Sequence, residues 1–195
     1  MTPSEMIEQV GRSVAALAEQ LLAGDLEARP IVVVAGQGKH GAAALVAARR
    51  LWEIGAWVQT VCVFQYAAAA DWVAAPLEQL QAMGVPLAWA EEGWELPPCD
   101  LLIEAITASN QAEDPQGRER EMILLANSSL APILSIGAPS GTHPETGHRC
   151  SPHIHAAATL LTTPPNTEYP AEPARAACGT LYFLDEKGRV RSAEV

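Results

Sequence analysis

Apolar positions along this chain follow two alternating rhythms. After Ser4-Glu5-Met6-Ile7-Glu8, the residues Ile7, Val10, Val14, Leu17 and Leu21 return at helical spacing, which predicts an amphipathic helix to about Leu22. Ile31 to Ala35 is a continuous apolar run of strand length. Gly41 to about Ile54 reads as a helix stopped by Gly55, and Trp57 to Phe64 as a strand, which completes a βαβ unit. The pattern then predicts a helix from near Pro76 to just before Gly84, a short strand over Val85 to Ala90 and a strand over Asp100 to Ile106. A further helix is N-capped by Asp114, has Pro115 in its first position and reaches Asn127. Ile133 to Ile136, Ala156 to Thr162 and Thr180 to Leu184 supply three more strands, and four prolines make Thr163 to Arg175 an irregular loop.

Such alternation predicts an α/β fold: a Rossmann-like three-layer α/β/α sandwich with a mostly parallel central sheet, formed by residues 1–195 as one domain. Sheets of this kind bind ligands at the carboxyl ends of their strands, where loops 36–41, 104–110 and 137–147 should gather. The first of these, Gly36-Gln37-Gly38-Lys39-His40-Gly41, has the spacing G-x-G-x-x-G between a strand and a helix. Glycines let backbone approach a ligand, and free N–H groups at a helix start attract phosphate or another anion. A dinucleotide fingerprint also needs an acidic residue at the end of the second strand. Trp57 to Phe64 contains none, so NAD binding in the dehydrogenase manner is disfavoured. The turn therefore reads either as an anion cradle or as a tight connection whose glycines serve only close packing.

Charge narrows the partners. Twelve basic residues against 23 acidic ones leave a net charge of −11, which argues against binding nucleic acid or an anionic membrane through a basic surface. Only Lys39 and Lys187 supply lysine, so a lysine inside the glycine turn stands out. The start of the chain has neither the basic flank of a secretory signal nor an apolar run of membrane-spanning length, and a cytoplasmic location is expected. Cys62, Cys99, Cys150 and Cys178 form no C-x-x-C pair and predict neither a disulfide framework nor a zinc ribbon. Cys150, His153 and His155, with His143 and His148 nearby, offer metal-ligand chemistry but lack a second ligand pair, so solvated or interface histidines are expected and no metal. Trp52, Trp57, Trp72, Trp89 and Trp94 read as core or oligomer-interface residues.

Taken together in this order, the three loops resemble the YjeF N-terminal domain family, whose active members are NAD(P)H-hydrate epimerases. Met6 to Ala15 is similar to the family's M-E-x-A-G-R-x-V-A helix and Ala35 to Arg49 to its C-G-P-G-N-N-G-G-D-G-L-V-A-A-R. Asp100 to Asn110 is similar to D-L-I-V-D-A-L-F-G-T-G, and Pro132 to Gly147 to P-V-V-A-V-D-I-P-S-G-L-D-A-D-T-G. The departures fall in the loops. N-N-G-G-D becomes Lys39-His40-Gly41-Ala42-Ala43, the second-loop aspartate becomes Glu104, and F-G-T-G becomes Thr107-Ala108-Ser109-Asn110. A lysine a few positions on falls near Ala112, and the aspartate before I-P-S-G becomes Gly137.

The resemblance implies a pocket for a nucleotide-like or other small anionic ligand, held by Gly36, Gln37, Gly38, Lys39, His40, Gly41, Ser109, Ser140 and Gly141, in a homodimer such as relatives form. It also implies that the family's potassium site is lost and that no cofactor is required. Glu104 is the carboxylate left for acid–base chemistry, with Lys39 as its expected ion-pair partner. Three functions follow: a non-catalytic ligand-binding member of the family, an active hydrate epimerase or related isomerase using Glu104, or a protein-interaction module with a vestigial pocket.

Overall fold

The first helix shows how local chemistry sets the frame. In the computed structural model, which describes residues 2–27, 29–65, 69–107, 112–162, 170–185 and 187–193, α1 spans Pro3–Leu21. Thr2 caps it: its hydroxyl accepts the Glu5 amide at 3.2 Å, the Glu5 carboxylate accepts the Thr2 amide at 2.6 Å, and Pro3 fills the first turn, where an N–H would go unused. Gly11 lets α1 press onto α2 (Lys39–Glu53), since a Cβ there would lie 2.5 Å from the Val46 Cβ. Arg49 of α2 closes the contact with bonds of 2.7 and 2.9 Å to the two Glu8 oxygens.

The remaining elements are β1 (Pro30–Ala35), β2 (Trp57–Cys62), α3 (Asp71–Ala82), β3 (Leu87–Trp89), β4 (Leu101–Ala105), α4 (Gly117–Ser128), β5 (Ile133–Ile136), β6 (Ala158–Leu161), β7 (Thr180–Leu184) and β8 (Val190–Ser192). They form a sheet in the order β3-β2-β1-β4-β5-β6-β7-β8, parallel throughout except for β8. Strand order reverses between β1 and β4, so the loops leaving their carboxyl ends diverge and open a crevice there. Strand alternation divides the core. Val33, Ile103 and Leu134 face α1, α2 and α3, whereas Val34, Leu102 and Ile133 face Met122, Ile123 and Ala126 of α4. Among the described residues no helix is long and apolar enough to cross a membrane.

Most boundaries agree with the sequence pattern within one or two residues, and three differences have physical causes. The helix expected from Pro76 begins at Asp71, with Pro76 inside it. Burial of Val73, Leu77 and Leu80 outweighs the hydrogen bond that the proline cannot donate. Asp114 does not cap α4, which starts at Gly117; its carboxylate accepts the Ser151 amide at 2.7 Å instead. The antiparallel edge strand β8 escaped the pattern because Val190-Arg191-Ser192 has almost no apolar signal. Its turn is closed by Asp185, which accepts the Lys187 and Arg189 amides at 2.9 Å each. These donors, the Arg189 amide foremost, hold the Asp185 carboxyl well below the usual carboxylate range. Of the loop expected over Thr163 to Arg175, positions 163–169 lie outside the described residues, and Ala174–Ala177 forms one 3-10 turn.

Gly36 and Gly38 separate packing from openness within one loop. A Cβ on Gly36 would lie 2.0 Å from the Ile106 carbonyl oxygen, whereas one on Gly38 meets nothing within 4 Å. Gly36→Ala is expected to cost about 3 kcal/mol in urea unfolding, and Gly38→Ser to change stability by no more than about 0.5 kcal/mol.

Candidate functional site

The three loops meet at the carboxyl edge of the sheet, as the strand order requires. The Gly36 amide donates to the Ala105 carbonyl at 2.8 Å, and the Ile106 and Thr107 amides both donate to the Ser140 hydroxyl at 3.0 Å. The Gly141 amide in turn donates to Thr107 Oγ1 at 3.1 Å. Backbone from β1, β4 and β5 is thus laced into one unit.

Glu104 sits at the centre of that unit, 1 % exposed. Its Oε1 accepts the Ser135 hydroxyl at 2.5 Å and the Ser140 amide at 3.1 Å, while its Oε2 accepts the Ser140 hydroxyl at 2.5 Å and the Ile106 amide at 3.2 Å. Because Ser140 Oγ already accepts two amides, its single proton is committed to Glu104. Burial pushes the Glu104 carboxyl above its ordinary range, against the opposing pull of the Ser135 and Ser140 hydroxyls and the Ser140 and Ile106 amides.

Lys39 is not among those partners. Leu102, Glu104 and Ile106 share the face of the sheet covered by α4, whereas α2, which begins at Lys39, covers the opposite face. Strand parity therefore keeps the expected Lys39–Glu104 ion pair from forming. The Lys39 ammonium lies instead 5.8 Å from the centroid of the Trp72 ring, whose indole N–H donates to the Gln37 carbonyl at 2.7 Å. Trp72 thus braces the exposed first loop.

His40 turns inward from that loop. Its ring lies over Gly137, where a Cβ would approach the imidazole Cε1 to 2.3 Å, and its Nε2 is 3.5 Å from Thr162 Oγ1. Gly137 also has φ 75°, so a bare α-carbon suits it on two counts. Burial lowers the His40 pKa from its ordinary 6.5. Gly41 packs as tightly as Gly36, since a Cβ on it would lie 1.9 Å from the Gly36 carbonyl oxygen. For Gly36 and Gly41, close packing alone explains the glycine. Gly141, with φ 81°, lies against Pro152 and His153, and Ser109 falls outside the described residues.

The cysteine and histidine segment braces the third loop. The Cys150 amide donates to the Gly141 carbonyl at 2.8 Å, and the Ile154 amide to the Ser140 carbonyl at 2.9 Å. Asn127 of α4 clasps the same segment through the His153 carbonyl at 2.7 Å and the His155 amide at 3.0 Å. Among the described residues no group of three His, Cys, Asp or Glu side chains is placed to hold a metal ion. Cys62 is a buried free thiol, and burial pushes it up to about 12. Sequence reasoning missed Ser135, Thr107 and Thr162. A serine inside the apolar strand Ile133–Ile136 was the one available signal for Ser135, and its meaning depends on the register that sets it beside Glu104.

The family profile described as YjeF-related protein N-terminus matches residues 3–167. A bifunctional NAD(P)H-hydrate repair enzyme Nnr from Thermofilum pendens is 30 % identical over 148 residues, covering 73 % of this chain and 28 % of that protein. An NAD(P)H-hydrate epimerase from Truepera radiovictrix is 28 % identical over 189 residues, covering 91 % of this chain and 77 % of that one. The chain therefore spans little more than a quarter of the bifunctional relative's length. The crystal structure of yeast ynu0 shares the fold, with a TM-score of 0.75 at 23 % identity over 94 % of this chain and 79 % of that chain.

Two measurements test this geometry. Glu104→Gln puts an amide N–H against at least one committed donor, whichever way it is turned, and is expected to cost about 2 kcal/mol in urea unfolding; a change within error contradicts the donor arrangement. His40 titrates below 6.5 in the folded chain, so below about pH 6.5 the unfolded chain binds a proton that the folded one does not. Stability should therefore fall as the solution is acidified through that range. His40→Gln is expected to flatten the slope of unfolding free energy against pH, and an unaltered slope is the contrary result.

Proposed function

The chain belongs to the YjeF-related N-terminal family, and from that membership we propose that it is a non-catalytic member which keeps the cleft at the carboxyl ends of its strands as a site for a nucleotide or other small anionic ligand. One observation carries this reading. The acid that would have to move a proton, Glu104, is buried, accepts four hydrogen bonds from the protein itself and points to the α4 face. General acid–base chemistry needs a group within hydrogen-bond reach of the substrate, and this carboxylate is occupied in joining β4, β5 and the Ser140 turn.

A resident potassium ion does not fit these residues. A hard cation takes oxygen ligands, whereas both Glu104 oxygens are already engaged, His40 presents an imidazole and Gly137 offers no side chain. What the cleft offers a ligand is the α2 N-terminus at Gly38, which has no side-chain cap, with exposed Lys39 beside it.

The test uses the purified chain and the R and S hydrates of NADH, with their interconversion followed by chromatography and nucleotide binding followed by thermal shift. The expected result is interconversion no faster than in buffer, together with a saturable shift on adding a nucleotide. Accelerated interconversion that Glu104→Gln abolishes would make the chain an epimerase with Glu104 as its acid or base. No shift with any nucleotide would favour an interaction module with a vestigial cleft.

A further inference from the structure

A pocket of about 170 Å³ opens between α1 and the start of α2, on the face of the sheet opposite Glu104. Its apolar wall is formed by Met6, Ile7, Val10 and Ala43. Lys39, His40 and Thr162 supply its polar groups, and none of its described lining residues is acidic, in a chain that carries 23 Asp and Glu. An apolar cavity of roughly 150 Å³ takes up a benzene ring, so this volume admits one six-membered ring and excludes a purine with its ribose.

We propose that this pocket binds a single-ring carboxylate, with the ring against Ile7, Val10 and Ala43 and the carboxylate toward Lys39, within reach of His40 and Thr162. Three observations converge on that class. The wall is apolar and sized for one ring. Lys39 brings one positive charge: among the described residues no carboxylate forms a salt bridge with it, and its ammonium lies 5.8 Å from the centroid of the Trp72 ring. Thr162 Oγ1 lies 3.5 Å from His40 Nε2 at the same end; with Nε2–H donating to that oxygen, the Thr162 hydroxyl proton is directed to the second carboxylate oxygen. Burial lowers the His40 pKa and so favours the neutral imidazole, which leaves Lys39 as the one cation among the described lining residues and suits a monoanion better than a diphosphate.

The inference deepens the proposed function by naming a ligand class for the surface around the first loop. It rests on that reading only in taking this loop to face a ligand. Nucleotide binding requires the open carboxyl edge, whereas a ring acid requires only the pocket, so the two are measured apart.

The probe is benzoate, titrated into the isotope-labelled full chain and followed by two-dimensional amide NMR, with benzyl alcohol as the ring without charge and acetate as the charge without ring. Saturable shifts are expected at the Val10, Lys39 and Ala43 amides with benzoate, and at least tenfold weaker responses with the other two. Lys39 is exposed, so Lys39→Ala leaves the fold intact; it should weaken benzoate about tenfold and leave benzyl alcohol unchanged. The proposal is overturned if benzoate moves none of these amides, if benzyl alcohol or acetate matches it, or if Lys39→Ala binds benzoate as tightly as the parent chain. A parallel titration with AMP that shows no binding removes the nucleotide reading while leaving this one standing.

Discussion

A carboxylate taken out of water at the end of a buried strand must be answered by donors, and in this chain that demand organises the carboxyl edge of the sheet. Glu104 draws in the hydroxyl of Ser135 from β5, both the hydroxyl and the amide of Ser140 from the following turn, and the amide of Ile106 from its own strand's continuation. The Ser140 hydroxyl passes the constraint on by accepting Ile106 and Thr107. Removing the acid would leave these buried donors facing one another. The same demand fixes which backbone groups are left over to face solvent, and so shapes the cleft.

Other contacts extend this constraint outward. The segment from Cys150 to His155 holds the Ser140 turn from behind, and Asn127 and Asp114 tie that segment to α4 and its approach. Across the sheet, His40 and Gly137 divide one volume between them, a bulky ring facing a bare α-carbon. The family resemblance placed polar side chains at both positions. Their joint replacement is coherent in space, since a ring at 40 leaves no room for any side chain at 137. The outcome is a cleft with two chemically unlike sides, a sealed acid on the α4 face and a cationic, partly apolar pocket on the α1 face.

Much of the fold was legible because buried parallel strands and amphipathic helices write different apolar periods. The pattern failed where tertiary burial overrode a local signal, as at Pro76 inside α3, or where no apolar signal existed, as in β8. At the site, strand order correctly implied that the first, second and third loops would meet, and Ser140 does meet Glu104. The Lys39 partnership was misread because proximity in a loop says nothing about parity: Glu104 follows Leu102 to one face, and α2 lies on the other. Ser135 was illegible for a related reason. A lone serine in an apolar strand acquires meaning only from the neighbour that register supplies. For the glycines, spacing suggested a phosphate cradle, yet contacts at Gly36 and Gly41 show how much of such a motif is explained by packing alone.

The central claim is that Glu104 serves as the fastening of three loops, and native-state hydrogen exchange at the Ile106, Thr107 and Ser140 amides reads it most directly. The account predicts protection at these positions close to that of the core amides of β4, even though they lie in loops. Exchange at rates typical of exposed loops would show that the carboxylate does not hold them, and would contradict the account.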